Sequence, residues 1–412
     1  MPGGRPTFTY NPRAELRLEQ QVEDYLDERH RVLSVSGPTK TGKTTLLKSI
    51  VPDAVWLTGG SITTIESFWA SVADKLGLYT TSESQTGGGS EKTLRTEISG
   101  GVPAVVQSKV GGIYKATSST SEKFGRTRPV DATAREFLRE SQLTVIVDDF
   151  HYVNKATQES IVRGMKDLVF DGVGLIVAAV PHRAYDVMRV EKEMTGRVQQ
   201  LEIGFWTDEQ LRSIAENGFK ALNVLDPGSK LADRLTQESF SSPHLMQEFC
   251  LQLCKDNGVR FRQEREIDLI APEWAYFFAS RANRASKTAF DLLARGPRQR
   301  TDRVQRTLKL GGTVDIYGAV LAAIAATGPK TEITYEQIRG GLRDVLSSEL
   351  PQRHEVTRVL DEMTKIAQNE IEGEPVVEYD QKLATLYISD PFFAFYLRWG
   401  RPAYMTGGDD TD

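Results

Sequence analysis

The chain has 412 residues, of which 39% are hydrophobic and 26% charged, with a formal net charge of −5. These values predict two or three soluble globular domains and argue against wholesale coating of nucleic acid. The two cysteines, Cys250 and Cys254, fit the apolar stripe of a helix and have no second Cys/His pair with which to bind a metal, so a reducing, cytoplasmic location is expected. No signal pattern opens the sequence, and the longest apolar run, residues 318–326, is too short to span a membrane.

Apolar strands and helices alternate through the first 205 residues. The predicted strands are residues 32–36, 54–58, 143–147, 174–180 and 198–203, and helical patterns between them include residues 64–78, 132–140 and 155–169. Short apolar strands alternating with helices are typical of a parallel sheet that is covered on both faces. We therefore expect residues 1–205 to form an α/β domain with a doubly wound parallel sheet.

The first strand runs directly into Gly37-Pro-Thr-Lys-Thr-Gly-Lys-Thr44 and then into a helix-forming run. Glycines allow successive backbone N–H groups to turn around an anion, and the helix start adds unpaired donors and a positive dipole end. This pattern is typical of a phosphate loop, in which Lys43 reaches the β- and γ-phosphates and the Thr44 hydroxyl binds Mg²⁺. The predicted nucleotide-binding residues are Gly37, Pro38, Thr39, Lys40, Thr41, Gly42, Lys43, Thr44 and Thr45.

The third predicted strand ends in Asp148-Asp149, which places two carboxylates beside the phosphate loop. Asp148 is expected to hold the Mg²⁺ shell, and Asp149 to orient or deprotonate an attacking water. The two motifs together predict a site for Mg²⁺ and ATP, with Lys43 and Asp149 as catalytic candidates.

Three further positions are candidates for contact with a nucleotide. His182 and Arg183 follow the fourth strand, where either polar side chain could sense the γ-phosphate, although a surface turn explains them equally well. Arg197 precedes the fifth strand and is a candidate arginine finger for a neighbouring subunit, or an ordinary exposed arginine. Pro243 and His244 begin a helix whose amino end suits an anion; a plain helix start is the alternative.

Residues 80–128 are rich in Gly, Ser and Thr and predict an insertion of two or three small strands; a disordered loop is the alternative. From residue 206 the pattern becomes helical, at residues 207–222, 229–236, 244–255 and 273–294. Residues 206–285 are therefore expected to form a helical lid, followed by a basic linker at 286–312.

The segment 281–309 carries nine basic residues against Asp291 and Asp302. The basic residues are Arg281, Arg284, Lys287, Arg295, Arg298, Arg300, Arg303, Arg306 and Lys309. They form a polyanion contact, a solvated helix face or a partner for an acidic surface.

The last hundred residues predict three helices, at 316–326, 335–346 and 353–366, and then strands at 376–379 and 384–388. This is the order of a winged helix, at residues 313–405, before an acidic tail at 406–412. The third helix mixes both signs of charge, so it fits a protein contact at least as well as a DNA contact.

Several of these motifs together resemble the AAA+-related signalling ATPases. The motifs are Gly37-Pro-Thr-Lys-Thr-Gly-Lys-Thr, Val147-Asp-Asp-Phe-His, Ala179-Val-Pro-His-Arg, Ser242-Pro-His and the segment from Leu386 to Arg398. The nearest resemblance is to the STAND and archaeal-type ATPases related to the origin-recognition ATPases, and it spans most of the chain except residues 80–128.

The resemblance implies an ATP- and Mg²⁺-dependent switch that forms homo-oligomers and signals to a protein effector, often in prokaryotic antiphage or mobile-element conflict. Two departures, Asp149 in place of the usual glutamate and the apolar end of the fourth strand, predict slow hydrolysis. One alternative is a DNA-binding AAA+ ATPase for transposition target selection or replication initiation, which would use residues 281–309 and the winged helix. Another is a nucleotide-binding scaffold without turnover.

Overall fold

A computed structural model describes residues 8–78, 129–180, 196–282, 284–297, 303–328, 330–371 and 375–400. The predicted insertion at 80–128, His182 and the acidic tail at 406–412 lie outside these residues. The chain divides into two compact units. The N-terminal unit comprises Pro12–Pro38 and Gly42–Gly204, and the C-terminal unit comprises Met1–Asn11, Thr39–Thr41 and Phe205–Asp412. None of the described helices is long and apolar enough to cross a membrane.

Five parallel strands form the sheet of the N-terminal unit, in the order β2-β3-β4-β1-β5. The strands are β1 (Val32–Ser36), β2 (Val55–Thr58), β3 (Val145–Asp148), β4 (Leu175–Ala179) and β5 (Val198–Glu202). All five predicted strands are present, and the prediction of a parallel α/β sheet is confirmed.

Helices cover both faces of this sheet. They are α1 (Leu18–Glu28), α2 (Lys43–Ile50), α3 (Ile65–Leu76), α4 (Val130–Ser141) and α5 (Lys155–Phe170). Successive strand residues point to opposite faces. Ile146 and Ile176 therefore join one apolar cluster with α1 and α2, whereas Val145 and Val177 join another with α3, α4 and α5. The two clusters explain why the inner strands read as continuous apolar runs.

The first part of the C-terminal unit is mainly helical. Its elements are α6 (Asp208–Leu222), β6 (Val224–Leu225), α7 (Lys230–Gln237), α8 (Pro243–Asp256), β7 (Ile267–Asp268), α9 (Trp274–Ala279) and α10 (Arg284–Arg295). Thr207 caps α6 by accepting the N–H of Gln210, which reciprocates. This cap agrees with the predicted helix start.

The prediction of one helix over residues 273–294 is wrong, because the structure has two helices, α9 and α10. The Arg281 side chain donates to the carbonyl of Phe277 and to Asp256 at 2.6 Å, and its guanidinium lies 3.7 Å from the Phe277 ring centre. The backbone N–H of Arg281 bonds to Phe278 three residues earlier. These contacts end α9 in a tight turn, which a helical apolar pattern alone does not reveal.

The remaining elements have the order of a winged helix-turn-helix. They are β8 (Arg306–Thr307), β9 (Thr313–Val314), α11 (Ile316–Ala326), β10 (Glu332–Thr334), α12 (Tyr335–Val345), α13 (Arg353–Asn369), β11 (Val377–Asp380), β12 (Thr385–Ile388) and α14 (Pro391–Trp399). An antiparallel sheet in the order β10-β12-β11 accompanies the three helices. Most of α10 and all of β8 lie in the segment predicted as a basic linker.

The helices α6 to α10 and the elements that follow them share one apolar core, which extends from Trp206 to Leu397. The ring of Phe395 in α14 lies 5.1 Å from that of Phe249 in α8 and 6.1 Å from that of Phe278 in α9, centre to centre. Helix α14, the last described helix of the chain, therefore packs into the core formed by α8 and α9.

A buried carboxylate holds the end of α14 in this unit. Glu238 is 1% exposed and accepts hydrogen bonds from Arg398 and from the Trp399 indole, both at 2.8 Å, and it pairs with Arg234 at 3.3 Å. A buried charge is tolerated only when it is paired and hydrogen-bonded, as it is here.

We expect Glu238→Ala to lower the free energy of unfolding of the C-terminal unit by about 2–3 kcal/mol, because it leaves the half-buried Trp399 indole and the partly exposed Arg398 guanidinium without their buried acceptor. Urea denaturation followed by tryptophan fluorescence measures the change. Glu264→Ala, which removes an exposed carboxylate of the same unit, is the matched control and should shift the midpoint little. Equal shifts in the two variants would contradict the assignment.

Candidate nucleotide-binding site

The phosphate loop begins at Gly37, between the ends of β4 and β5. The N–H of Gly37 donates to the Ala179 carbonyl at 3.3 Å, and the N–H of Ile203 donates to the Ser36 carbonyl at 2.6 Å. A Cβ at Gly37 would lie 3.0 Å from Cβ of Ile203 and even closer to its carbonyl oxygen. Only glycine fits this position, so the packing of β5 fixes where the loop starts.

Gly42 ends the loop and supports its turn into α2. Its φ is +103°, a left-handed conformation that glycine adopts without steric cost, and no atom lies within 4 Å of the position of a Cβ. No side chain caps α2 at this residue. An uncapped helix start beside open space is the arrangement that suits an anion.

Lys43 is buried, and its ammonium group is held over the loop. Its Nζ donates to the Gly37 carbonyl at 2.7 Å and to the Pro38 carbonyl at 2.9 Å. Two loop carbonyls therefore keep the charge of Lys43 on the concave side, where a phosphate would replace them as partner.

Thr44 and Asp148, the two predicted Mg²⁺ ligands, are in direct contact. The Thr44 hydroxyl donates to Oδ2 of Asp148 at 2.7 Å, and Oδ1 of Asp148 accepts the N–H of Asp149 at 3.1 Å. Asp148 is only 7% exposed. A hydroxyl and a carboxylate oxygen side by side are the hard oxygen ligands that Mg²⁺ prefers.

Asp149 directly follows β3 in a left-handed conformation, with φ 54° and ψ 41°. Its carbonyl accepts the N–H of Tyr152 at 3.0 Å and closes the 3₁₀ turn Phe150–Tyr152. Aspartate tolerates this conformation better than most side chains do. The predicted catalytic carboxylate of Asp149 thus follows the predicted metal ligand, Asp148, at the sheet edge that carries the phosphate loop.

The residues present fit a magnesium-bound nucleotide. Besides the open space at Gly42 and the oxygens of Thr44 and Asp148, the hydroxyl Oγ1 of Thr39 is buried and has no hydrogen-bond partner among the described residues. An unsatisfied buried hydroxyl in the middle of a phosphate loop is a donor available to a phosphate oxygen.

The strand order, the phosphate loop after β1 and the acidic end of β3 decide the class of this unit. It has the AAA+ P-loop fold. The apolar end of β4 is a departure from the AAA+ pattern, because Ala179 and Val180 are buried where that pattern has a polar side chain.

No family model matches this chain, and no curated protein matches it. Solved structures that are similar to it include an Aeropyrum pernix ORC2 protein, with 14% identity and a TM-score of 0.45 over 93% of this chain and 91% of that one. A Cdc6p from Pyrobaculum aerophilum has 13% identity and a TM-score of 0.41 over 96% and 95% of the two chains. The Thermotoga maritima RuvB branch migration motor has 13% identity and a TM-score of 0.38 over 71% and 81%. Identities and TM-scores this low carry no statement about activity.

Arg197 is exposed at the opposite end of the sheet from the phosphate loop. Its carbonyl accepts the N–H of Val32, the first residue of β1, whereas the loop follows the last residue of that strand. About 13 Å of strand therefore separates Arg197 from the start of its own loop. An action on this chain's own nucleotide is excluded, and the action on a neighbouring subunit stays a prediction. His182 and Arg183, the sensor candidates, lie outside the described residues.

Residues 39–41 belong by packing to the C-terminal unit, where Lys40 and His244 come together. The Lys40 ammonium lies 3.2 Å from Oδ1 of Asp390 and 3.9 Å from the ring centre of Phe392, against which the His244 ring packs at 5.3 Å. Pro243 is buried at the start of α8. Sequence reasoning missed Asp390 and Phe392 as partners because 350 residues separate Lys40 from Asp390.

These contacts predict an unusual titration of His244. Burial first, and then the Lys40 charge, lower the pKa of His244 below its ordinary value of 6.5, while Asp390 acts in the opposite direction. We expect Lys40→Met to raise the pKa of His244 and Asp390→Asn, which retains a helix-capping side chain, to lower it further. An NMR titration of ¹³C-labelled histidine measures both shifts, and His244→Gln assigns the signal. Shifts of the same sign in both variants would contradict this arrangement of charges.

Proposed function

We propose that this chain is an ATP-binding and slowly ATP-hydrolysing switch that assembles with itself and signals to a protein partner. The observation that carries the proposal is the contact of Thr44 with Asp148 beside the buried Lys43. Lys43 and the loop N–H groups would hold the phosphates, and Thr44 and Asp148 would hold Mg²⁺. Bound Mg²⁺ would neutralise charge that develops on the phosphate oxygens.

Asp149 has the role of the base in this proposal. Its carboxylate would orient the attacking water and accept a proton from it. Slow turnover is supported by the buried, apolar Ala179 and Val180, because the described end of β4 carries no side chain that could hydrogen-bond to the γ-phosphate. A slow reaction suits a switch, in which the lifetime of the ATP-bound state sets the duration of the signal.

Assembly of several copies is supported by Arg197. An arginine that is exposed at the far end of the sheet could contact a nucleotide only on another chain. The C-terminal unit, with its winged helix, is the part available to a protein effector. The resemblance to STAND and archaeal-type ATPases makes prokaryotic antiphage or mobile-element conflict the biological setting of the proposal, by analogy of fold.

Two variants separate nucleotide binding from hydrolysis. Lys43→Ala should weaken ATP binding about 10- to 100-fold, because it removes the buried cation that meets the phosphates. Asp149→Asn should retain binding and lower phosphate release about 100-fold or more. Isothermal titration with Mg²⁺ and ATP and a phosphate-release assay measure these effects, and light scattering with ATP, ADP or neither measures the mass.

Lys48→Ala, an exposed lysine one turn further along α2, is the matched control for Lys43→Ala and should behave as the unaltered chain. Equal background phosphate release by the unaltered chain and by Asp149→Asn would favour a scaffold without turnover. A mass that does not change with ATP would count against the assembling switch.

The second candidate function is a DNA-binding AAA+ ATPase for transposition target selection or replication initiation. One observation favours it: the charges of α13 are sorted by exposure. Arg353, His354 and Arg358 are exposed, whereas Glu355 and Asp361 are partly buried. Glu355 pairs with Arg306 at 3.5 Å, and Asp361 accepts a hydrogen bond from Gln381 at 2.7 Å. The helix as a whole contains both acidic and basic residues, but these exposed side chains are basic.

The basic segment at 281–309 supports DNA contact less than its composition suggests. Arg303 pairs with Asp315 and lies over the Tyr317 ring, and Lys309 donates to the Arg343 carbonyl at 2.6 Å. Arg281, Arg295 and Arg306 likewise pair with carboxylates of this chain. Most of the described cations in the segment are thus engaged internally, and Arg298 and Arg300 lie outside the described residues.

A sharper test uses the exposed face of α13 and the tip of the β11–β12 hairpin. Arg358→Ser combined with Lys382→Ser should weaken duplex DNA binding and lower the slope of log affinity against log salt by about 2. Fluorescence anisotropy at several salt concentrations measures the slope. Lys220→Ser combined with Lys255→Ser, which removes two exposed lysines elsewhere in this unit, is the matched control. An absence of binding by the unaltered chain at low salt would exclude this candidate.

A further inference from the structure

The ends of β2 and β3 lie side by side, and each strand leads into a short 3₁₀ turn. Thr58 is the last residue of β2 and is paired with Asp148, the last residue of β3. Gly59–Ser61 forms the turn after β2, and Phe150–Tyr152 forms the turn after β3. The backbone around Asp149 therefore lies next to the backbone around Gly59.

Gly59 has no room for a side chain. A Cβ there would lie 2.8 Å from the carbonyl carbon of Asp149, closer still to its carbonyl oxygen, and 3.2 Å from the carbonyl oxygen of Asp148. All three neighbours are backbone atoms, which cannot rotate away as a flexible side chain can.

The adjacent Gly60 differs in this one respect. It is exposed, and a Cβ at Gly60 would meet no atom within 4 Å. Neither glycine adopts the left-handed conformation that favours glycine over alanine. Space, and not backbone torsion, therefore distinguishes Gly59 from Gly60, and the chain itself offers a matched pair of positions.

Two hydrogen bonds tie the turn at Asp149 to the site. The N–H of Asp149 donates to Oδ1 of Asp148, whose Oδ2 accepts from Thr44. The carbonyl of Asp149, the group that packs against Gly59, accepts the N–H of Tyr152. A Cβ at residue 59 would push on the carbonyl carbon of Asp149 as well as on its oxygen, and a shift of that carbon moves Cα of Asp149 and with it the direction of the carboxylate.

We propose that Gly59 is a positioning residue for hydrolysis, because its missing side chain lets the Asp149 carbonyl pack against the end of β2 and so directs the Asp149 carboxylate. The inference rests on the proposed ATPase function. Gly59 contacts no reacting atom and acts through the backbone of Asp149.

The test compares Gly59→Ala with Gly60→Ala in the full chain. Gly59→Ala should lower kcat for phosphate release about 10- to 100-fold, the cost of a displacement on the order of 1 Å, while the affinity for ATP stays within about threefold. Gly60→Ala should match the unaltered chain in both quantities.

A second measurement needs no nucleotide. Amide hydrogen exchange of the turn at residues 149–153 should be faster in Gly59→Ala than in Gly60→Ala or in the unaltered chain, while exchange in β3 stays slow. This pattern shows a local displacement of the turn in a folded unit.

The outcomes distinguish this inference from the function on which it rests. Unchanged kcat and exchange in Gly59→Ala would overturn the positioning role alone. Loss of ATP affinity together with faster exchange throughout β3 would give Gly59 a purely structural role and also overturn the inference. No phosphate release by the unaltered chain would overturn the proposed function, and the positioning role with it.

Discussion

The hydrogen bond from Thr44 to Asp148 joins two motifs that are 104 residues apart, and the rest of the site depends on it. The bond forms only because β1, β4 and β3 are parallel neighbours, so that the phosphate loop and the acidic strand end emerge at one edge. Gly37 allows the loop to pack closely against Ile203 after β5, and Gly59 allows the backbone of Asp149 to pack closely against the end of β2. The sheet thus brings together the oxygens of Thr44 and Asp148, the proposed Mg²⁺ ligands, without a bound ligand.

Much of this arrangement follows from local sequence patterns. A buried strand needs a continuous apolar run, and a phosphate loop needs glycines at fixed spacing. Both can therefore be predicted from a stretch of about ten residues. The end of α9 at Arg281 could not be predicted from a local pattern, because it depends on a hydrogen bond to the Phe277 carbonyl and an ion pair with Asp256. The requirement for glycine at residue 59 was also not visible in the sequence, because it comes from Asp149, which follows the neighbouring strand β3.

The role of the charged residues was also hard to predict from the sequence alone. The nine basic residues at 281–309 suggest a polyanion site in the sequence, yet Arg281, Arg303 and Arg306 serve the internal structure. Composition counts charges, whereas recognition depends on those that remain exposed after folding. In α13, by contrast, the exposed charges favour contact with a polyanion more than the composition of the helix does. Glu355 and Asp361 are bonded within the chain, whereas Arg358 is exposed.

The proposed slow hydrolysis has a physical basis in the backbone at Asp149. An aspartate side chain is one methylene shorter than glutamate, so its carboxylate has fewer torsions with which to reach a water molecule. Its position is then set by the left-handed turn, which is held by the Asp148 carboxylate on one side and by Gly59 on the other. A short acid on a fixed turn has few torsions with which to adjust to the position of a water molecule, and this limited reach supports slow hydrolysis. The rate of such a site depends on the backbone at the ends of β2 and β3, so any change that shifts this edge of the sheet would also change the lifetime of the ATP-bound state.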